Sequence, residues 1–209
     1  MSDFSESSRP APSDDANQRI DQIADAALRL FARYGYKRSS MDDIAKEAGL
    51  AKATLYLHFK GKDDVFRSML DLLRRRVEAR CREVLAGLGA FPARLAALLD
   101  AYYGQAFASF GTGEHLVELK ALMAAIASPQ LQALEQGFRG FAQELCAQAR
   151  AAGEIAPSLE GSVLDEWIAA LMFAAVGAKA GEAPSCETYG GRLTSIARIF
   201  AAAASAGSP

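Results

Sequence analysis

Residues 40–59, SMDDIAKEAGLAKATLYLHF, hold two short helical stretches separated by a single glycine, Gly49. A helix this short does not persist alone in water, because the ordering of its first turn is offset only by further turns or by packing. The two stretches must therefore lean on a third element. Ser40 is placed to cap the first of them, with Asp42 and Asp43 at its positive end. Gly49 can take the left-handed conformation that ends a helix and turns the chain sharply. Ala45 is small where the second stretch must cross closely, and Ile44, Leu50, Leu55 and Phe59 can share a core with whatever supports them.

The support lies just upstream. Ile20, Ile23, Ala24, Ala27, Leu28, Phe31 and Tyr34 recur at three- and four-residue spacing along one helical face that stops at Gly35. Together these elements predict a helix-turn-helix on a supporting helix. Helical pattern continues to the end with no period-two stretch, so the predicted class is all-α. About nine helices are expected, at roughly 17–34, 41–48, 52–59, 63–86, 92–109, 114–127, 129–152, 160–181 and 186–204. Residues 1–16 are rich in Ser, Pro and Asp and have little to bury, which predicts a mobile tail. The expected organisation is thus a tail (1–16), a three-helix head (17–62) and a larger helical body (63–209). With 209 residues and 51% hydrophobic content the chain can bury a sizeable core.

With Leu55 and Phe59 turned inward, a helix over 52–59 points Ala53 and Leu57 most directly outward, flanked by Thr54 and Tyr56, with Lys52 and His58 nearer the edges. A leucine in the middle of an exposed face suits a thymine methyl in a DNA major groove, and Tyr56, Thr54, Lys52 and Lys62 suit phosphate oxygens. Asp42 has two readings, as a partner of a cytosine amine or as a complement to the helix terminus. From Arg33 to Lys62 there are seven basic side chains against three acidic ones, inside a chain whose formal charge is -2. A nucleic-acid surface is therefore expected to be local.

Phe31, Gly35, Tyr36, Ile44, Ala45, Ala48, Gly49, Leu50, Thr54, Leu55, Tyr56, His58, Phe59 and Lys62 resemble the DNA-binding motif of the TetR family of bacterial transcriptional regulators. The family usually has Ser or Thr where this chain has Ala51, so the side-chain cap of the second short helix is missing here. Ala53 replaces a frequent glycine. The resemblance implies a dimeric regulator, expected to be a repressor released from a palindromic operator by a small effector. Ser40, Asp42, Lys52, Ala53, Thr54, Tyr56, Leu57, His58 and Lys62 would then form the DNA face. An alternative is an effector-independent structural factor of the nucleoid.

In the body, Tyr102, Tyr103, Phe107, Phe110, Phe138, Phe141, Trp167 and Phe173, with His115 and Glu118 as polar anchors, are candidates to line a pocket for an apolar or aromatic compound. The same aromatics at helical spacing would equally serve as plain core. Val163, Trp167, Ile168, Leu171, Leu193, Ile196 and Phe200 form long apolar faces suited to a four-helix dimer interface, as two-fold DNA readers need recognition helices ~34 Å apart, with packing inside one subunit as the alternative. Arg74, Glu78 and Arg82 read as a solvated helix face, with a second nucleic-acid patch as the alternative. Cys81 among arginines reads as an ordinary thiol, with a redox sensor as the alternative. Three separated cysteines without paired spacing suggest neither disulfides nor zinc, and a cytoplasmic protein is expected. Two distant histidines and no nucleophile motif argue against an enzyme, and no cofactor, metal or membrane is expected.

Overall fold

In the computed structural model, residues 14–110, 116–180 and 184–205 are described, and they form helices with no strand among them. The helices are α1 (Asp14–Tyr34), α2 (Met41–Glu47), α3 (Lys52–His58), α4 (Lys62–Ala86), α5 (Phe91–Leu99), α6 (Gln105–Phe110), α7 (Leu116–Ile126), α8 (Ser128–Ala151), α9 (Gly161–Gly177) and α10 (Cys186–Ser205). A π-helical stretch, Asp100–Gly104, joins α5 to α6 without a break, so the two form one rod and the expected nine rods are present. Its wider turn is closed by the Gln105 N–H donating to the Asp100 carbonyl. A Cβ at position 104 would meet the Asp100 carboxylate folded over it, which would have to turn aside. Helix α1 begins three residues earlier than the periodicity suggested, and the tail expectation for residues 1–13 lies outside the described residues.

Two apolar cores hold the helices together. The head core joins Ile23, Ala27 and Phe31 of α1, Ile44 of α2, Leu55 of α3, and Val65, Phe66, Met69 and Leu70 of α4. Phe31, Tyr36 and Phe66 stack at 5.2–6.1 Å between ring centroids. The body core joins Val77, Cys81 and Leu85 of α4 to Leu95, Leu98 and Leu99 of α5, Phe138 and Leu145 of α8, Ile168 and Leu171 of α9, and Tyr189 and Leu193 of α10. Helix α4 thus serves both, its first half in the head and its second in the body. Leu119 and Ala127, expected in the body, are buried in the head core. The packing therefore cuts across a boundary drawn at residue 62.

Several of the candidate body residues have settled places. Tyr102, Tyr103 and Phe138 pack on one another at 5.0–5.3 Å, and Phe107 stacks on Tyr189 at 4.8 Å, so these four stand in the body core. Phe173 corrects the pocket expectation in the other direction: it is 79% exposed. Phe141 is half-buried at the edge of the body core. Trp167 is held between Phe91 and Phe200, at 6.4 and 5.4 Å. The side chain of Phe110 and all of His115 lie outside the described residues. Ile168, Leu171 and Leu193 are fully buried within the subunit, which removes them from a dimer face, and Ile196 and Phe200 pack partly against the same core. The outward apolar side chains of α9 and α10 are instead Val163, Phe173, Val176 and Ile199. The faces picked by periodicity thus turn mostly inward, and the exposed apolar side chains of α9 and α10 lie beside them.

Candidate nucleic-acid interface

The turn between α2 and α3 follows from local backbone chemistry. The Ser40 hydroxyl accepts from the Asp43 N–H at 3.2 Å and the Asp43 carboxylate accepts from the Ser40 N–H at 2.9 Å, a reciprocal cap. The Ser40 contacts hold the Asp43 carboxyl below its usual range. At the other end Gly49 has φ +67°. The Gly49 N–H donates to the Lys46 carbonyl at 3.0 Å and the Leu50 N–H to the Ala45 carbonyl at 2.9 Å, which is a Schellman closure. From α1, Gln22 Nε2 donates to the Ala48 carbonyl at 2.8 Å, so an otherwise orphaned acceptor is satisfied by the supporting helix.

Helix α3 starts at Ala51, whose extended backbone (φ -68°, ψ 143°) is that of a cap but whose side chain offers no acceptor. Leu55 and Phe59 are buried, and they fix the outward side. Leu57 stands 82% exposed at its centre, with Tyr56, Ala53 and Lys52 exposed beside it and Thr54 and His58 half-buried at the margins. A large apolar side chain thus stands in water at the centre of a helix face that is otherwise well anchored. Lys52 Nζ pairs with the Asp42 carboxylate at 2.8 Å, which raises the lysine's proton affinity and places Asp42 on its neighbour rather than free for a base. Ser40 is likewise occupied by its capping role.

Lys62, expected as a phosphate donor, is half-buried and its ammonium is engaged by the protein's own backbone. Its ammonium donates to the carbonyls of Tyr36 and Ser39, each at 2.7 Å, and lies 4.1 Å from the Tyr36 ring centre. Burial lowers its proton affinity. The Tyr36 hydroxyl donates to Asp63, and the Lys60 N–H donates to Asp64 at 3.2 Å. The start of α4 is thus lined by its own acids, which disfavours an anion there. Lys62 holds the α1–α2 loop in place, a role hidden in the sequence because a lysine beside a basic stretch reads as surface charge.

The arginine run at 74–76 also has a partner that spacing alone did not reveal. Arg75 pairs with Asp21, Arg76 with Asp25 at 2.7 Å, and Asp25 in turn with Arg29, which reaches Glu47 at 2.9 Å. The chain from Arg76 to Glu47 links α4, α1 and α2, whereas Arg74 and Arg82 both bind Glu78 on their own helix, as expected of a solvated face. Cys81 is fully buried and its thiol is pushed up to about 12 by burial, which rules against a thiolate sensor. Among the described residues no cluster of His, Cys, Asp or Glu is arranged to hold a metal, and no helix is long and apolar enough to cross a membrane.

Comparison with known proteins agrees with this geometry. Residues 23–69 match the family model described as "Bacterial regulatory proteins, tetR family". The fatty acid metabolism regulator protein of Bacillus subtilis is 48% identical over 48 residues, covering 23% of this chain and 25% of that protein. The HTH-type transcriptional regulator AcrR of Shigella flexneri is 40% identical over 58 residues, covering 28% of this chain and 27% of its own length. The matched stretch therefore spans about a quarter of these relatives. Over the whole chain the fold is similar to that of a TetR/AcrR family regulator from Thermobifida fusca, with TM-score 0.63 at 23% identity, covering 88% of this chain and 97% of that one. It is also similar to the regulator FadR of Bacillus subtilis solved with stearoyl-CoA, with TM-score 0.56 at 19% identity, covering 90% and 98%. The head, residues 23–69, is that of the tetR family of bacterial regulatory proteins, and the chain as a whole shares the all-helical fold of TetR/AcrR regulators.

Proposed function

We propose that the protein is a sequence-specific DNA-binding transcriptional regulator that inserts α3 into the major groove as one half of a homodimer. The observation that carries this reading is Leu57, 82% exposed on a helix anchored by the fully buried Leu55 and flanked by exposed Tyr56, Ala53 and Lys52. Tyr56 and Lys52 supply phosphate contacts, Leu57 and Ala53 face the bases, and Thr54 and His58 border them. Phosphate oxygens then compete with Asp42 for the Lys52 ammonium. Val163, Phe173, Val176 and Ile199 support a two-fold interface through α9 and α10. The protein works in the bacterial cytoplasm, on the nucleoid, and carries no catalytic site.

Repression with release by a small, largely apolar or aromatic effector is the regulatory reading. Such a ligand acts only by binding the non-DNA-bound arrangement better, and a few kcal/mol of difference empties the operator. Long acyl thioesters are a first class to screen, since FadR was solved with stearoyl-CoA.

The test is selection of duplexes from a randomised pool by the full-length protein, followed by titration of variants against the enriched duplex. Tyr56→Ala weakens binding to all sequences, and Leu57→Ala changes base preference at one position of each half-site by ~1–3 kcal/mol. Full-strength binding by Tyr56→Ala would sink the contact assignment.

A further inference from the structure

Glu118, a candidate anchor for a body pocket, lies elsewhere. Its Oε1 accepts from the backbone N–H of Lys37 at 2.9 Å, in the loop between α1 and α2. Helix α7, which carries Glu118, is joined in sequence to the body but packs in the head core through Leu119, with Leu122, Met123 and Ile126 against the same cluster. Its other end is pinned too, as Arg67 Nε donates to the Ile126 carbonyl at 3.0 Å while Arg67 pairs with Asp64 at 2.9 Å. The loop that Glu118 touches is the one Lys62 holds through the Tyr36 and Ser39 carbonyls, and it runs directly into Ser40, the cap of α2. Glu118 also acts electrostatically on the Lys62 ammonium, so both groups that hold the loop sense one another.

We propose that Glu118 is a positioning residue for the DNA-contacting surface: by holding Lys37 from the body side, it makes α7 a second connection, beside α4, that sets where α2 and α3 stand. The inference rests on the head being a DNA-binding element. Helix α2 is only seven residues long, so the placement of its start depends on the loop before it. A carboxylate accepting from a backbone N–H is a charge-assisted bond and defines direction as well as distance. Without it the exposed Lys37 N–H binds water, so the fold loses little. The loop must then be ordered when DNA binds, and that entropy is subtracted from affinity.

The experiment uses full-length protein, the duplex that the wild type enriches from a randomised pool, poly(dI-dC) as a non-specific duplex, and amide hydrogen exchange at Lys37. Glu118→Ala should bind the enriched duplex about fivefold more weakly, with unchanged poly(dI-dC) binding, an unchanged thermal midpoint and faster Lys37 exchange. Glu118→Gln, which keeps an acceptor, should recover most of the affinity. Wild-type affinity in Glu118→Ala, unchanged Lys37 exchange, or loss of the fold in that variant would each overturn the positioning role. Failure of the wild type to enrich any duplex would instead remove the DNA-binding reading, while Lys37 exchange still reports on the Glu118 contact.

Discussion

The head and the body bury side chains of the same kind but assemble them differently. The head takes most of its core from the consecutive helices α1–α4, with the ends of the short α2 fixed by backbone devices: the Ser40–Asp43 box, the Gly49 closure and the Gln22 bond to the Ala48 carbonyl. The body draws its core from α4, α5, α8, α9 and α10, which are far apart in the chain. In the head, then, residue spacing dictates geometry, whereas in the body the packing partner decides which side of a helix is inside. The cores also share α4, and α7 crosses from one sequence region into the other's packing. Head and body should accordingly unfold together. Phe66→Ala in the head triad and Phe138→Ala in the Tyr102–Tyr103 cluster should each cost ~3–5 kcal/mol, read from urea unfolding as a shifted but single transition. Two separated transitions would show the cores to be independent and break this account of how the head is held.

Helix α9 sharpens the contrast within one element. Leu171 is fully buried and Phe173, two residues on, is 79% exposed. Leu171→Ala should lower stability by ~2–5 kcal/mol. Phe173→Glu should leave the subunit's secondary structure intact and shift sedimentation from dimer to monomer, because a charge placed at the centre of an apolar interface is costly to desolvate. A Phe173→Glu protein that remained dimeric at micromolar concentration would move the interface off α9.

These two residues also show why the head was more legible than the body. Helices, their order and the α2–α3 turn could be read from periodicity, caps and one glycine, because those signals act over a few residues. Leu57 could be placed outward because Leu55 and Phe59 had to point inward. Periodicity put Ile168 and Leu171 on one face of α9 but did not show what covers that face, since Val163, Phe173 and Val176 are as apolar and only the neighbouring helices distinguish them. The partners of Lys62 and Glu118 were hidden for a related reason. Their charges are held by backbone groups of the α1–α2 loop, and a backbone partner leaves no trace in residue type.

The turn itself offers two smaller tests of the claim that the head is built from local devices. Gly49→Ala meets no neighbouring atom within 4 Å, so its cost is the left-handed backbone alone, about 1 kcal/mol. A loss much larger than that would mean that the turn is strained by packing rather than set by its own conformation. Ala51 tests the opposite sign. Its backbone already has the geometry of a cap, and the Thr54 N–H and Leu55 N–H both point back to the Ala51 carbonyl, at 3.0 and 3.3 Å. A serine there needs no backbone change to offer its hydroxyl oxygen to the first turn of α3. Ala51→Ser should therefore stabilise the protein by ~1 kcal/mol. In a cooperative unit of this size that raises the thermal midpoint by about 2–4 °C. If the midpoint does not rise, α3 is held by Leu55 and Phe59 alone and its first turn contributes nothing separable. If the gain appears only in a local measure such as amide exchange of α3, the head opens apart from the body and the shared-core account fails with it.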